Sequence, residues 1–250
     1  MNHELAKQLQ ENVRAFYEQH GTWFATTRGK ILPEQAFVAT YIKPGMTVVD
    51  VGAGNGRLAK LLPDGTTYLG VEPSETLRRA STSPNPSFVR RGISDSDSDS
   101  PPYQGGVGGG GSVLAGELPV IPLSNQTADV TTCLAVLHHI PTRDTRRASV
   151  EELIRLTKLG GIILATAWLQ NPHGDATTPV ANGEPGDRWM PWDGPDGQAM
   201  RYVHFMQPDE WEMLWTHPAL EILRIGMHGK RDWTNDVSEA LNWRVLARRR

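Results

Sequence analysis

Three glycines follow an acidic residue at alternate positions within one short segment: Asp50, Gly52, Gly54 and Gly56. Residues 46–51 form an apolar run rich in β-branched side chains, which predicts a strand that leads into a glycine turn. Glycines in such a turn let the backbone approach a ligand at the edge where open α/β sheets bind their ligands. A dinucleotide fingerprint would require a third glycine at position 57, where this chain has Arg57. Nicotinamide dinucleotide binding is therefore disfavoured.

A second acidic residue ends the next predicted strand, residues 67–71. This residue, Glu72, lies 22 positions after Asp50. In nucleotide-binding α/β folds, an acidic side chain at about this position accepts hydrogen bonds from the ribose hydroxyls. The sequence therefore predicts that Glu72 binds the ribose of a nucleoside-containing ligand.

The glycine segment has the pattern Asp-x-Gly-x-Gly-x-Gly and resembles motif I of class I S-adenosylmethionine-dependent methyltransferases. The resemblance implies that the glycines approach the aminocarboxypropyl arm of S-adenosylmethionine, while Asp50 engages its amine end directly or through water. It also implies that Glu117 holds the adenine amino group and that the backbone amide of Leu118 meets a ring nitrogen. Most family members have Asp where this chain has Glu117. Leu134, in the fourth predicted strand, belongs to the same expected cofactor site.

A further series of short motifs follows along the chain. They are Thr26-Thr27-Arg28, the segment 134–142 with its His138-His139 pair, Arg146-Arg147, Met190-Pro191-Trp192, the segment 201–205 and Asn242-Trp243. In this order they resemble the tRNA wobble-uridine carboxymethyl methyltransferases. The resemblance implies methyl esterification of a carboxymethyl group on the first anticodon uridine. It also implies tRNA as a partner and, from eukaryotic members, a small zinc-ribbon activator subunit.

The implied chemistry makes modest demands on side chains. A carboxylic acid with a pKa of about 4 is ionised at neutral pH, so it needs no strong general base before it attacks a sulfonium methyl group. Positioning of the acceptor beside the methyl donor should therefore contribute most to catalysis. The candidates are an arginine fork for the carboxylate (Arg28, Arg146 or Arg201), histidines that orient the acceptor (His138, His139, His204) and aromatic rings that stack an extruded uracil (Trp192, Tyr202).

Four of these residues form the expected catalytic set around the transferred methyl group: Arg28, His138, Arg201 and His204. They come from three segments that are far apart in sequence, with Arg201 and His204 in the same one. Functional groups of doubly wound sheets gather beyond the carboxyl ends of the strands, which is where we expect the four side chains to meet.

Two other functions stay open from the sequence. The first is O-methylation of a carboxyl or hydroxyl group on a small molecule. An acidic chain with an alternating Ser-Asp run favours it, because tRNA binding normally shows as a basic surface. The second is a non-catalytic, cofactor-binding partner subunit. The presence of Asp50, Glu72 and the full glycine series argues against this second alternative, since an inert scaffold needs no such cleft.

The elements that must position these residues alternate between strands and helices. This alternation predicts one α/β domain over residues 1–250, Rossmann-like and doubly wound, with a mostly parallel seven-stranded sheet. Residues 1–45 are expected to form N-terminal helices. The Ser-Asp and glycine tract at residues 94–111 is expected to be a flexible insertion. Residues 171–206 are expected to form a lid-like acceptor-site loop.

The composition agrees with such a domain and excludes several other classes. The 250 residues are 38% hydrophobic and 21% charged, which excludes a wholly disordered chain. A net charge of −3 excludes a uniformly basic surface. The single cysteine, Cys133, excludes an internal disulfide and a multi-cysteine zinc site, and no metal is expected. We find neither a membrane-spanning run nor the apolar region of a signal peptide, so a cytoplasmic location is expected.

Overall fold

The computed structural model describes residues 1–27, 31–81, 111–169, 177–195, 197–229 and 232–250. Arg28 and nearly all of the predicted insertion at residues 94–111 lie outside these ranges. The first residues of the predicted acceptor-site loop, 171–176, also lie outside them.

The helices of the described residues begin at positions that the sequence marks clearly. They are α1 (His3–Thr27), α2 (Pro33–Ala39), α3 (Glu75–Ala80), α4 (Arg143–Leu156) and α5 (Pro208–Leu214), with short 3-10 helices at Arg57–Leu61 and Leu137–His139. Ser74 caps α3 by accepting a hydrogen bond from the Leu77 backbone amide at 3.2 Å. Thr142 caps α4 in the same way, with the Thr145 amide as the donor. These side chains satisfy amides that have no partner within the first helical turn.

The strands form two sheets. They are β1 (Thr47–Val51), β2 (Thr67–Val71), β3 (Gly111–Leu114), β4 (Ala128–Leu134), β5 (Thr157–Trp168), β6 (Thr178–Pro179), β7 (Asp187–Gly194), β8 (Gly197–His204), β9 (Leu220–His228), β10 (Trp233–Thr234) and β11 (Asn242–Arg249). In the main sheet, β3, β2, β1, β4 and β5 lie side by side in parallel, and β11, β9 and β10 continue it as antiparallel strands. The predicted doubly wound, mostly parallel fold is confirmed. The described sheet has eight strands instead of seven because the two-residue β10 extends its edge.

The segment predicted as a lid-like loop is largely strand where the structure describes it. Strands β6, β7 and β8 form a separate antiparallel sheet. The prediction of a loop rested on the Gly, Pro and Asp content of the segment. The described glycines lie at the turns, where Gly194 pairs with Gly197 at the hairpin between β7 and β8. Pro179, Asp187 and Pro191, however, lie within the strands. The second half of β8 is buried, because α1 packs on it: Leu9, Val180 and Tyr202 share one apolar cluster.

Apolar side chains cover both faces of the main sheet. On one face, α4 and α5 bury residues such as Leu153, Trp211 and Trp215. On the other face, α2 and the first 3-10 helix contribute Val38 and Leu58. The two layers hold the parallel strands in one plane, so that their carboxyl ends form a common edge.

Helix α1 lies across this edge and contacts both the start of α3 and strand β8. Glu18 accepts hydrogen bonds from the hydroxyls of Ser74 and Thr76 at the start of α3. The Asn12 side chain accepts one from the Tyr202 backbone amide in β8 at 2.9 Å. Helix α1 therefore connects the ends of the parallel strands with the small sheet. None of the described helices is both long enough and apolar enough to cross a lipid bilayer.

Candidate active site

The turn after β1 holds the three predicted glycines in left-handed backbone conformations. Their φ angles are +74° at Gly52, +57° at Gly54 and +70° at Gly56, a region that favours glycine. A Cβ on Gly52 would lie 2.2 Å from a methyl carbon of Val136. A Cβ on Gly54 would have no atom within 4 Å beyond its chain neighbours. Gly52 therefore permits close packing against the turn after β4, and Gly54 faces open space that a ligand can approach.

The Glu72 carboxylate is fixed beside this turn. One oxygen accepts a hydrogen bond from the Gly54 amide at 2.9 Å, and the other accepts one from the Ser74 amide at 3.0 Å. Burial raises the pKa of Glu72 to about 7. Two backbone amides thus orient a carboxylate at the end of β2, next to the open side of the glycine turn.

Asp50 is buried between strands. Its carboxylate accepts hydrogen bonds from the Tyr68 hydroxyl at 2.8 Å and from the Thr132 hydroxyl at 2.5 Å. Burial raises its pKa. The side chain therefore ties β1 to β2 and β4 beneath the turn, a structural role that the sequence analysis missed.

A cavity of about 550 Å³ lies between α1 and the ends of β2 and β3. Helix α1 contributes Val13, Arg14 and Tyr17, and the opposite wall includes Pro73 and Gly116. The volume is within the range of small-ligand pockets. Because Pro73 follows Glu72 directly, the cavity adjoins the carboxylate that the sequence assigns to a ribose.

The remaining predicted cofactor residues have different surroundings. Glu117, at the cavity wall, accepts hydrogen bonds from Arg14 at 2.6 Å and Gln10 at 3.1 Å, both on α1. Leu118 is buried in the core. Leu134 is partly buried against the apolar cluster beneath α2. In this structure Glu117 thus binds α1, and an adenine amino group would have to share or replace those contacts.

His138 is fully buried at the end of β4. Its Nδ1 accepts a hydrogen bond from the Trp168 backbone amide at 3.2 Å, and its ring stacks on the Trp168 ring at 4.4 Å. The proton of the neutral ring therefore lies on Nε2, which has no hydrogen-bond partner among the described residues. Burial, together with the charge of Arg201, lowers the pKa of His138 well below its ordinary value. His138 is a neutral donor with its Nε2–H unused.

Arg201, in β8, is a buried cation that has no acidic partner among the residues the structure describes. Only 3% of the residue is exposed. Its Nη1 donates to the Tyr17 hydroxyl at 2.8 Å, Nη2 lies 3.8 Å from the Met190 sulfur, and Nε has no partner among the described residues. Three aromatic rings surround the guanidinium, including that of Trp168 at 5.2 Å. A buried charge held by neutral groups has most of its binding capacity left for an anion.

His204 and Arg146, by contrast, belong to a closed ionic network. The two ring nitrogens of His204 lie 2.7 Å from Asp187 and 2.8 Å from Glu210. Burial opposes protonation, but these two carboxylates hold the pKa of His204 above its ordinary value. Arg146 donates to Glu210 and Glu184 and to a backbone carbonyl. Both ring nitrogens of His204 are thus engaged by carboxylates, and Arg146 is neutralised by two glutamates. This argues against the predictions that His204 touches the acceptor and that Arg146 holds its carboxylate.

The structure separates the two aromatic candidates. Tyr202 is fully buried and its hydroxyl donates to Asp187 at 2.7 Å, so the prediction that it stacks a uracil is wrong. Trp192 is only partly buried and packs edge-on to Phe16 at 5.3 Å. Of these two rings, Trp192 alone retains an accessible surface.

Comparison with known families decides the class of this cleft. Residues 23–224 match the family described as a methyltransferase domain. The chain belongs to this family.

Two relatives of the methyltransferase domain carry the same name, tRNA (carboxymethyluridine(34)-5-O)-methyltransferase. The protein from Arabidopsis thaliana is 28% identical over 156 residues, which are 62% of this chain and 32% of the relative. The protein from Saccharomyces cerevisiae is 26% identical over 192 residues, which are 76% of this chain and 59% of the relative. The chain thus spans about a third and about three fifths of the length of these two relatives.

Solved structures show the same fold. A methyltransferase from Methanosarcina mazei, described as SAM-dependent, has a TM-score of 0.61 at 18% identity, over 85% of this chain and 96% of that one. A structure from Haloferax volcanii, of a complex between the Trm112 methyltransferase activator and a methyltransferase, has a TM-score of 0.60 at 14% identity, over 95% of this chain and 97% of that one. The expected methyltransferase domain with the fold of S-adenosylmethionine-dependent enzymes is thus confirmed.

Within the methyltransferase domain, the structure brings His138 and Arg201 together around Trp168 and places His204 in the network beside them. Arg28 lies outside the described residues. Tyr17 contacts Arg201 and lines the cavity, a role that was not predicted from the sequence. The sequence did contain a signal for this face of α1. Gln10, Arg14 and Glu18 recur every four residues in α1, and in the structure these polar side chains contact the cleft and not only solvent.

Proposed function

We propose that this methyltransferase domain transfers a methyl group from S-adenosylmethionine to the carboxylate of a carboxymethyl group on a tRNA wobble uridine. The names of its relatives support this acceptor. The single observation that carries the proposal is the buried Arg201 guanidinium, which has no carboxylate partner among the described residues. A site built this way suits an anionic acceptor and leaves a neutral acceptor with an unpaired buried charge nearby.

The residues of the cleft suit the cofactor. The open side of Gly54 admits the aminocarboxypropyl arm, and the fixed carboxylate of Glu72 suits a ribose diol. The cavity beside α1, which includes Gly116 and Glu117, has room for a nucleoside base. When bound, S-adenosylmethionine supplies an electrophilic methyl carbon, to which a carboxylate oxygen bonds as the carbon–sulfur bond breaks, so that a methyl ester and S-adenosylhomocysteine form.

The side chains of the domain have to position the acceptor, and no proton has to move. The carboxylate is ionised at neutral pH. Arg201 holds it through charge-assisted hydrogen bonds, and the unused Nε2–H of His138 donates to an acceptor oxygen. Because the pKa of His138 is lowered by burial, the ring stays neutral and adds no second buried cation. Trp192 provides the accessible aromatic face for the uracil.

Two partners belong to the proposal. The first is tRNA, the acceptor named for the relatives. The second is a small activator subunit, since the Haloferax volcanii structure of similar fold is a complex with such an activator. The proposal places the reaction in the cytoplasm.

Transfer of labelled methyl from S-adenosylmethionine tests the function. Purified total tRNA from cells that carry carboxymethyluridine and a small-metabolite fraction are offered in parallel, with and without an activator subunit. We expect label in tRNA, released by mild alkali because it is an ester. Label that enters only the metabolites, or label in tRNA that alkali does not release, would contradict the proposal.

A matched pair of glycine variants shows whether the cleft is responsible. Gly54 and Gly160 both have positive φ and open space where a Cβ would lie, so a valine strains the backbone similarly at each. Gly54→Val should reduce the affinity for S-adenosylhomocysteine by more than about 100-fold and abolish transfer, because its side chain occupies the ligand's space. Gly160→Val should keep the wild-type affinity for S-adenosylhomocysteine and the wild-type methyl transfer. Equal cofactor affinity in the two variants would remove the glycine turn from the site.

A further inference from the structure

A chain of hydrogen bonds connects three elements around Arg201. Its Nη1 donates to the Tyr17 hydroxyl in α1 at 2.8 Å. The same hydroxyl lies 2.9 Å from Nε2 of His139, in the 3-10 helix after β4. Nδ1 of His139 lies 3.1 Å from the backbone carbonyl of Tyr202, which follows Arg201 in β8. This series of hydrogen bonds thus begins at Arg201 and ends at Tyr202, two neighbouring residues of β8.

The direction of each hydrogen bond is determined by its partners. A backbone carbonyl only accepts, so Nδ1 of His139 carries the proton and donates to Tyr202. Nε2 of the neutral ring then accepts from the Tyr17 hydroxyl. The oxygen of Tyr17 in turn presents its lone pairs to Arg201, a side chain that only donates. Burial, together with the charge of Arg201, lowers the pKa of His139 well below its ordinary value, so the ring stays neutral.

The Tyr17 ring is itself held in place. It meets Phe16, Phe24 and His139 edge-to-face, with centroid distances of 5.3 Å, 5.3 Å and 5.5 Å. Tyr17 also lines the cavity between α1 and the strand ends. One side chain therefore touches both the cavity proposed for the cofactor and the guanidinium proposed for the acceptor.

We propose that Tyr17 is a positioning residue of the acceptor site, whose hydroxyl, oriented by His139, aims the Arg201 guanidinium at an anionic acceptor relative to the cofactor cavity. This proposal rests on the proposed function. It assigns His139 a different task from His138: His138 donates to the acceptor, and His139 fixes the proton of Tyr17. Among the described residues, Tyr17 provides the only oxygen that accepts a hydrogen bond from Arg201. Without it, the guanidinium is free to turn within its aromatic surroundings.

Tyr17→Phe removes the hydroxyl and keeps the ring. The probe is an anticodon stem-loop that carries 5-carboxymethyluridine, with S-adenosylhomocysteine present. We expect the dissociation constant of the stem-loop to rise about tenfold, since a hydrogen bond to a charged group is lost. The affinity for S-adenosylhomocysteine should stay within about twofold. Tyr41→Phe is the matched control, because no described residue forms a hydrogen bond with the Tyr41 hydroxyl, and it should change neither affinity.

Two further readouts separate positioning from a general structural effect. In an Arg201→Met background, Tyr17→Phe should add nothing, because the hydroxyl acts through the guanidinium. The side-chain ¹⁵N spectrum should show His139 protonated at Nδ1, with an Nε2 resonance that shifts in Tyr17→Phe and not in Tyr41→Phe. A tenfold loss that persists without Arg201, an equal loss of cofactor affinity, or a protonated Nε2 would overturn the proposal.

The failure of this proposal differs from the failure of the proposed function. An enzyme that methylates tRNA and is indifferent to Tyr17→Phe contradicts only the role of Tyr17. A wild-type protein that binds the carboxylate stem-loop through Tyr17 and Arg201, yet transfers no methyl group to tRNA, contradicts only the proposed function.

Discussion

Two buried arginines, Arg146 in α4 and Arg201 in β8, differ in what surrounds them. Arg146 is 1% exposed and donates to two glutamates, Glu184 and Glu210. Arg201 is 3% exposed and has a phenol, a thioether and aromatic rings around it. The first arginine is neutralised by the protein itself. The second is left with a charge that a ligand can neutralise, and this difference distinguishes a structural cation from a binding one.

His204 and His138 differ in the same way as the two arginines. His204 is held between two carboxylates, which favour its charged form. His138 stacks on Trp168 near Arg201, and its pKa is lowered. Arg146 and His204 are therefore neutralised by carboxylates of the protein, whereas His138 and Arg201 leave donors unused among the described residues.

The largest expected effect sharpens the comparison of the two arginines. Arg146→Met leaves Glu184 and Glu210 with one fewer cation in a buried place, and should lower the free energy of unfolding by about 3–5 kcal/mol. Arg201→Met replaces an uncompensated buried charge with an apolar side chain that reaches a similar distance, and should cost less than about 1 kcal/mol. Urea unfolding of both variants, followed by circular dichroism, measures the difference. Equal losses of unfolding free energy in the two variants would show that Arg146 and Arg201 do not differ as a structural and a binding cation.

A smaller effect concerns the pH dependence of stability. The pKa of His204 is raised in the folded state, so its contribution is fully present below pH 6.5 and is lost as the pH rises through the folded-state value. The groups that face it are Asp187, Glu210 and Arg146. Between pH 6 and 9, the wild-type free energy of unfolding should therefore fall by a larger amount than that of His204→Gln.

The control for this titration is His3→Gln, at the exposed start of α1. The free energy of unfolding of His3→Gln, plotted against pH, should run parallel to that of the wild type. A His204→Gln curve that is also parallel to the wild type would mean that His204 is not charged in the network, and the contrast with His138 would lose its basis.

The sequence predicted the main sheet well because the relevant signals are local. The β-branched run before Gly52 and the alternation of strands and helices depend on neighbouring residues only. The glycine turn and Glu72 were located for the same reason, since each follows its own strand directly. Burial periodicity cannot, however, show what binds a polar side chain. The resemblance assigned Asp50 to the amine end of the cofactor, and this assignment stays a prediction; the contacts of its carboxylate with Tyr68 and Thr132 could not be predicted from the sequence.

The small sheet and its charges were harder to predict. Between β6 and β8, proline and glycine suggested a loop, because the composition does not show that the glycines lie at turns and that Pro179 and Pro191 lie within strands. His204 and Arg201 lie three positions apart in one strand, yet one meets carboxylates and the other aromatic rings. Those partners come from α1, β5, β7 and α5, which no local pattern connects to β8. Tyr17 was missed for the same reason.

The central claim is that Arg201 recognises the negative charge of the acceptor. The direct test compares two stem-loops, one with 5-carboxymethyluridine and one with its uncharged amide, 5-carbamoylmethyluridine, which has nearly the same shape. Binding of each is measured to the wild type and to Arg201→Met with S-adenosylhomocysteine present. We predict that the wild type prefers the carboxylate by about tenfold or more and that Arg201→Met loses the preference. An Arg201→Met protein that keeps the full wild-type preference for the carboxylate would contradict this account.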